Sequence, residues 1–328
     1  MTALAPVLEG FFTDRLTALR ASAHTIAAYR DTYRLLLTFA QRRTSTPPAR
    51  LDLAALDATM IRAFLDHLET ERHNGIATRN LRLNAIHSLF RYAALRCPEH
   101  AALIQQVLAI PPKRADVPLV TYLTHAENEA LLAAPDRTTL VGRRDHLLLT
   151  VGVQTGLRVS ELIALNRGDI MLGTGAHLRC EGKGRRERTT PITRSTARLL
   201  QAWFTERHLG PDDPVFATRA GRRLTVDAVA KRLDTHLAAA GRRCPSLTAK
   251  NVTPHTLRHT CAMNLLHAGV DPSSIALWLG HATTRSTDTY LHADLATKER
   301  ALALVAPTPA AAHRYRPPDR LLAFLEAL

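Results

Sequence analysis

The sequence predicts a mainly α-helical protein with a small β-sheet of hairpins, divided into two domains. Three observations carry this expectation. Apolar residues recur at helical spacing behind capping residues along most of the chain. Strand-like runs are few and short, chiefly residues 176–181 and 186–191 on either side of Gly182-Lys183-Gly184-Arg185, where flanking glycines mark a hairpin turn. Between them in character is Ile110-Pro-Pro-Lys-Arg-Ala-Asp-Val-Pro118, whose three prolines and three charges suppress helix and strand alike. A length of 328 residues suits two domains. The boundaries read as a helical domain over 1–108, a linker over 109–123, a second domain over 124–305 and a tail over 306–328.

In the first domain, residues 7–19 carry apolar side chains at helical spacing. Ser22 then starts a longer helix through Tyr29, Tyr33, Leu36, Leu37 and Phe39, and the paired prolines after Thr44 break it. Asp57-Ala58-Thr59 opens a third helix through Ile61, Phe64, Leu65 and Leu68. Asn74-Gly75 is a turn, and a fourth helix follows over 77–95. The pattern is that of a four-helix bundle.

In the second domain Thr124 caps a helix containing Glu127, Leu131 and Leu132, and the apolar run over 143–152 is expected to be buried. Gly156 allows a tight turn before the helix that carries Arg158 and Glu161, an i,i+3 pair suited to an ion pair. After the 176–191 hairpin, residues 193–207 read as an amphipathic helix. Val215-Phe216 followed by Ala220-Gly221-Arg222-Arg223 suggests a second small hairpin, and Thr225 caps a helix to Ala240.

Composition narrows the partners. The formal net charge is +14 and the pI about 10.4, with 38 arginines against five lysines. Net charge is +4 up to residue 110 and +10 beyond it, so the excess lies mostly in the second domain. Such a balance favours a polyanion, and guanidinium groups grip phosphate through two parallel bonds. No apolar run is long enough to span a bilayer, and the first residues lack the basic-then-apolar pattern of a signal peptide. Cys97, Cys180, Cys244 and Cys261 are scattered without metal-ligand spacing, which reads as reduced thiols in a cytoplasmic protein.

The densest chemistry lies over 251–291. Thr253-Pro254 is a cap-plus-proline helix start that sets His255 and Arg258 on one face, and Gly269 stops that helix. Asp271-Pro272 and Gly280 repeat the start and stop, leaving His281 just beyond a helix end and Tyr290 nine residues on. His255 and His259 stand at the i,i+4 spacing of a zinc-binding helix, but Thr256 occupies the place where that motif needs Glu and no third ligand is indicated. His259 therefore reads as a packing or hydrogen-bonding residue, and neither metal nor cofactor is expected.

With these residues in view, the sequence resembles the tyrosine recombinase (phage integrase) family over nearly its whole length, its short helical first domain being similar to bacterial Xer and integrase proteins. The resemblance rests on Arg158 in Thr-Gly-Leu-Arg-Val-Ser-Glu-Leu, Lys183 in Glu-Gly-Lys-Gly-Arg, His255 and Arg258 in His-Thr-Leu-Arg, His281 in Leu-Gly-His, and Tyr290. It implies a SAM-like core-binding bundle joined to an α+β catalytic domain, the two closing on double-stranded DNA. It also implies that Tyr290 is the nucleophile, that Arg158 and Arg258 clamp the phosphate, that His255 takes the tyrosine proton, and that Lys183 protonates the leaving 5′ oxygen. His281 would hydrogen-bond the phosphate, Glu161 would support Arg158, and Arg185, Arg186 and Arg188 would contact backbone phosphates or lie in solvent. Homo- or hetero-tetramers on synapsed sites are implied as well. A type IB topoisomerase or a non-catalytic DNA-binding regulator stands as the alternative; the latter would be expected to lack one of the six residues. In the tail, Asp319 can cap a short helix with Leu321, Phe324, Leu325 and Leu328 on one face; the end either frays, folds back on its own domain or, as the resemblance favours, docks on a neighbouring protomer.

Overall fold

A computed structural model describes residues 2–114, 120–182, 187–280 and Tyr290. The chain divides into two compact units, Met1–Val117 and Pro118–Leu328.

The first unit is helical. Helix α1 (Leu4–Gly10) continues through a π-helical stretch, Phe11–Arg15, into a last turn, Leu16–Ala18. Helices α2 (Ala23–Thr44), α3 (Ala58–Thr70) and α4 (Ile76–Ala93) follow. The Ser22 hydroxyl accepts the Thr25 N–H at 3.2 Å and Asp57 accepts the Met60 N–H at 2.7 Å, so both expected starts are side-chain caps. Phe11, Phe64 and Phe90 are fully buried, and the Phe11 ring contacts Tyr29, Tyr33 and Tyr92. Tyr33 donates its buried hydroxyl to the Ala85 carbonyl at 2.6 Å.

A fifth helix, α5 (Ala101–Leu108), was not expected from the sequence. It is entered through a 3₁₀ turn at Pro98–His100 and buries Ile104 and Val107 in the same core. At eight residues it has too short an apolar period to read alone, and tertiary packing stabilises it. Beyond it, Ile110 is buried, Arg79 donates to the Pro111 carbonyl at 3.3 Å, and Lys113 pairs with Glu69 at 2.8 Å. The proline-rich segment is thus pinned to the first unit as far as Lys113.

In the second unit, residues 120–123 are fastened to their own domain: the Leu123 N–H donates to Thr260 Oγ1 at 3.0 Å, and Lys250 Nζ donates to the Tyr122 carbonyl at 2.9 Å. Helices α6 (His125–Leu132), α7 (Leu140–Thr155) and α8 (Val159–Ala164) precede the sheet. Strands β1 (Ile170–Met171), β2 (His177–Glu181) and β3 (Glu187–Pro191) form an antiparallel sheet in sequence order, with Cys180 opposite Arg188 and Leu178 opposite Thr190. Helices α9 (Arg194–Arg207), α10 (Val226–Gly241), α11 (Pro254–His267) and α12 (Pro272–Leu279) complete the described unit. Thr124, Thr193 and Thr225 cap the helices expected of them. The second hairpin expected around residues 215–223 is present in a minimal form: the Ala217–Arg223 bridge is flanked by the Thr218 N–H on the Arg222 carbonyl at 2.7 Å and the Leu224 N–H on the Phe216 carbonyl at 3.2 Å. It is tied to α9, where Trp203 Nε1 donates to the Val215 carbonyl at 2.9 Å.

Among the buried carboxylates of this unit, Asp145 on α7 is gripped by Arg144 at 2.7 Å, Arg232 at 2.6 Å and His236 at 2.9 Å. Burial alone would raise its pKa, but the bonds from His236 and Arg144 outweigh that and hold it below the ordinary carboxylate range. Asp145 thereby ties α7, the helix that ends at the site below, to α10. Among the described residues no helix is long and apolar enough to cross a membrane. The tail over 306–328 lies outside the described residues.

Removing one member of a buried ion cluster strands the others, so Asp145→Ala should lower the unfolding free energy by about 3–5 kcal/mol in urea titrations. A loss under about 1 kcal/mol would show that Arg144 and His236 find other partners or water.

Candidate active site

Helix α11 supplies three functional positions within five residues. Pro254 occupies its first turn, and Thr256 Oγ1 accepts the Thr253 N–H at 2.9 Å, so the helix entry is locked by local bonds. One face turns Arg258 into the core, where it is 2% exposed. Its guanidinium donates Nη1 to the Gly156 carbonyl and Nη2 to the Leu279 carbonyl, both at 2.7 Å. These acceptors come from the ends of α7 and α12, and both ends are left-handed glycine stops: Gly156 has φ +63° and Gly280 φ +65°. A Cβ on Gly156 would lie 2.5 Å from Leu279 Cδ2 and 3.1 Å from Cys261 Sγ. The two helix ends can therefore meet over Arg258 only because glycine stands there.

Two residues past Gly156, Arg158 caps α8. Glu161 reaches back, its Oε2 accepting the Arg158 N–H and its Oε1 accepting Arg158 Nη1, both at 2.8 Å. The sequence-expected pair is thus formed, and Glu161 is buried. Arg188 corrects the sequence reading. It neither faces solvent nor offers itself to a phosphate: Nη2 donates to Glu161 Oε2 at 2.6 Å and Nη1 to Oε1 at 3.1 Å, with the side chain 11% exposed. The available signal was the strand period of two, which puts Arg188 on the same face as the fully buried Thr190.

Tyr290 is 3% exposed and joins the cluster of Cys261, Met263, Leu266, Ile275 and Leu279 between α11 and α12. Its hydroxyl lies 3.1 Å from His259 Nδ1, and the His259 ring meets His255 edge-on with centroids 4.4 Å apart. Among the described residues the imidazole in contact with the phenol is His259, one turn beyond the histidine that the sequence singled out. The i,i+4 spacing of the two histidines carried that signal, since it sets them on one helix face.

The electrostatics follow from burial and unequal numbers of charges. Desolvation, then the neighbouring Arg158, lowers Arg258 to about 10. Burial lowers His255 below its usual value, and Arg258 and Arg158 push in the same direction, so this imidazole is neutral at pH 7. Burial raises the Tyr290 phenol against the lowering pull of Arg258, so the hydroxyl keeps its proton at rest. Glu161 would be raised by burial, but Arg188 and the Arg158 N–H hold it ionised below its ordinary value. Three guanidiniums, Arg158, Arg188 and Arg258, thus meet one carboxylate among the described residues, leaving an anion-seeking site. Among those residues no group of three or more His, Cys, Asp or Glu is placed to hold a metal ion. Burial pushes the Cys180 thiol up to about 11 and Cys261 to about 12, so neither is a nucleophile at neutral pH.

The structure brings Arg158, Glu161, His255, Arg258 and Tyr290 into one site. Lys183, Arg185, Arg186 and His281 lie outside the described residues.

Comparison with known proteins agrees with this geometry. Residues 121–296 match the model of the phage integrase family, and residues 8–96 match that of the phage integrase N-terminal SAM-like domain. A Sinorhizobium fredii protein, y4rC, described as an integrase/recombinase, is 54% identical over 326 residues, covering 99% of this chain and 98% of its own. The tyrosine recombinase XerC of Chlamydia muridarum is 30% identical over 88% of this chain and 94% of its own. Among solved structures, the XerH site-specific recombinase in a post-cleavage complex with its palindromic difH substrate superposes with a TM-score of 0.65 at 25% identity, over 84% of this chain and 79% of that one.

A side chain at Gly156 would both strain the left-handed turn and displace the α12 end. Gly156→Ala should therefore cost about 1–3 kcal/mol in unfolding free energy. Unchanged stability in urea titrations would mean that Arg258 does not depend on this turn.

Proposed function

The chain belongs to the phage integrase family, the tyrosine recombinases, and on that premise we propose that Tyr290 cuts DNA by attacking a phosphodiester held between Arg158 and Arg258. The observation that carries this reading is the Tyr290 hydroxyl held 3.1 Å from an imidazole, beside a buried guanidinium that bonds only main-chain carbonyls among the described residues. The protein is a site-specific recombinase that cleaves and rejoins DNA.

A phosphodiester resists attack because its charge repels nucleophiles and because an alkoxide leaves poorly. Arg158 and Arg258 bind the two non-bridging oxygens and stabilise the charge that grows in the pentacoordinate transition state. The phenol oxygen of Tyr290 attacks phosphorus as its proton passes to the imidazoles of α11, with His259 in contact and His255 neutral beside it. The P–O bond to the 5′ oxygen breaks, and that oxygen takes its proton from Lys183, the role the family resemblance implies. His281 completes the phosphate's hydrogen bonds on the same basis. The product is a 3′-phosphotyrosyl ester and a free 5′-hydroxyl. Attack by the 5′-hydroxyl of another strand reverses each step, so the ester stores the bond energy and rejoining needs no nucleotide cofactor.

Each protomer holds one nucleophile and cuts one strand. Exchange between two duplexes cuts four strands, which supports a tetramer on synapsed sites, of this chain alone or with a sister recombinase. The net charge of +14 supports a duplex partner gripped largely through its phosphates, and the three buried cysteines with no disulfide support action in the reducing cytoplasm.

A nicked suicide substrate should trap a protease-sensitive adduct without added metal. Tyr290→Phe should abolish the adduct while retaining DNA binding; an adduct that persists in the Phe variant would assign the nucleophile elsewhere. The acid limb of the cleavage rate should lie below pH ~6.5, because burial and two arginines delay protonation of His255 relative to a free imidazole. A limb centred above pH ~7 would mean that the titrating group is not this histidine.

A further inference from the structure

Arg188 touches more of the site than any role in the reaction above requires. It sits on β3, five residues beyond Lys183 in the sequence, and its fork closes on both oxygens of Glu161 at 2.6 and 3.1 Å. The same guanidinium lies against Gly280, where an added Cβ would meet Arg188 Nη1 at 2.8 Å and Cδ at 3.1 Å. One side chain therefore joins the hairpin, the carboxylate that bonds Arg158, and the residue that precedes His281. The three elements come from distant parts of the chain.

The division of Glu161 between its two arginines is unequal. Arg188 takes both carboxylate oxygens, whereas the Arg158 side chain makes one bond, to Oε1 at 2.8 Å. Arg158 is 33% exposed against 11% for Arg188. A carboxylate and a guanidinium left to themselves favour the two-bond fork. Here that arrangement is already occupied, so among the described residues the Arg158 side chain is steadied by one bond, with its other N–H groups turned to no carboxylate.

We propose that Arg188 is a positioning residue that keeps Arg158 available to the scissile phosphate by occupying Glu161. Without Arg188, the full charge of a buried carboxylate falls to Arg158, which closes into a fork with Glu161, is neutralised, and turns from the substrate. Burial would lower Arg188 itself, yet Glu161 raises it on balance, so the pair stays ionised across the working pH range. This inference rests on the reading of Arg158 as a phosphate clamp.

The test compares cleavage of two nicked duplexes, one with an ordinary phosphodiester at the cut site and one with a neutral methylphosphonate there. Adduct formation by the unmodified protein on the first duplex establishes the underlying reading; no adduct at all would overturn that reading, and this inference with it. Given the adduct, Arg188→Met should leave DNA affinity within about threefold and slow cleavage of the phosphodiester roughly 100-fold. On the methylphosphonate, which carries no charge for Arg158 to offset, the same variant should fall within about fivefold of the unmodified protein. Arg188→Met combined with Glu161→Gln should regain at least about tenfold on the phosphodiester, because the competing carboxylate is gone. Equal losses on both duplexes, or no regain in the double variant, would reduce Arg188 to a packing residue and overturn the proposal. If Arg188→Met folds poorly by thermal melt, Arg188→Lys, which keeps the charge and loses the fork, is measured on the same two duplexes, and the ratio of its losses decides the proposal in the same way.

Discussion

The site depends on keeping one guanidinium charged in a place where water cannot reach it. Arg258 is 2% exposed, and desolvation draws it down to about 10, which still leaves it a cation at neutral pH. Burying an ion without compensation costs several kcal/mol. The compensation here is two main-chain carbonyls at 2.7 Å, from Gly156 and Leu279. Carbonyl dipoles orient the group and solvate it without cancelling its charge, so the charge remains for the substrate. Much of the local backbone follows from this choice. The carbonyls must come from helix ends, where they lack an intrahelical partner, and two such ends must converge on one atom group. That convergence requires the left-handed glycines at 156 and 280.

A second carboxylate cluster in the same domain shows what the alternative looks like. Around Asp145, Arg144, Arg232 and His236 all bond the carboxylate directly, and the cluster joins α7 to α10. Around Glu161, two arginines bond the carboxylate while the third, Arg258, is held away on carbonyls. The first arrangement turns every cation onto its carboxylate. The second keeps one guanidinium off the carboxylate, which is a cost to the free protein and a gain when a phosphate arrives. His255 is kept neutral by burial together with Arg258 and Arg158, whereas Tyr290 is kept protonated by burial against the pull of the same two arginines.

Most of the fold and most of the described site were legible in the sequence, for physical reasons that can be named. Helix starts declare themselves locally: Ser22, Asp57, Thr124, Thr193 and Thr225 each bond a backbone N–H three residues on. The Arg158–Glu161 pair is an i,i+3 contact and could be read the same way. Helix α5 could not, because its eight residues are stabilised by Ile104 and Val107 entering a core built from elsewhere. Arg188 could not either, since its partner is 27 residues away and depends on strand pairing. His259 lay in plain sight on the correct helix face, but only folding brings a residue 31 positions distant against it. Contacts that stabilise an element from within show in the sequence; contacts between elements show only once the register of those elements is known.

That distinction bears on how the active site tolerates change. Its charged groups sit at α8, α11 and β3, of which α8 has only six residues and β3 five. None would hold its side chains to the sub-ångström tolerance of phosphoryl transfer by itself. The tolerance comes from cross-bonds between elements: Arg258 to the ends of α7 and α12, Glu161 to β3 through Arg188, and Tyr290 to α11 through His259. Each cross-bond uses a group that also bears on the reaction. Substitutions at these positions therefore change geometry and charge together, and experiments that vary the charge of the substrate are needed to separate the two.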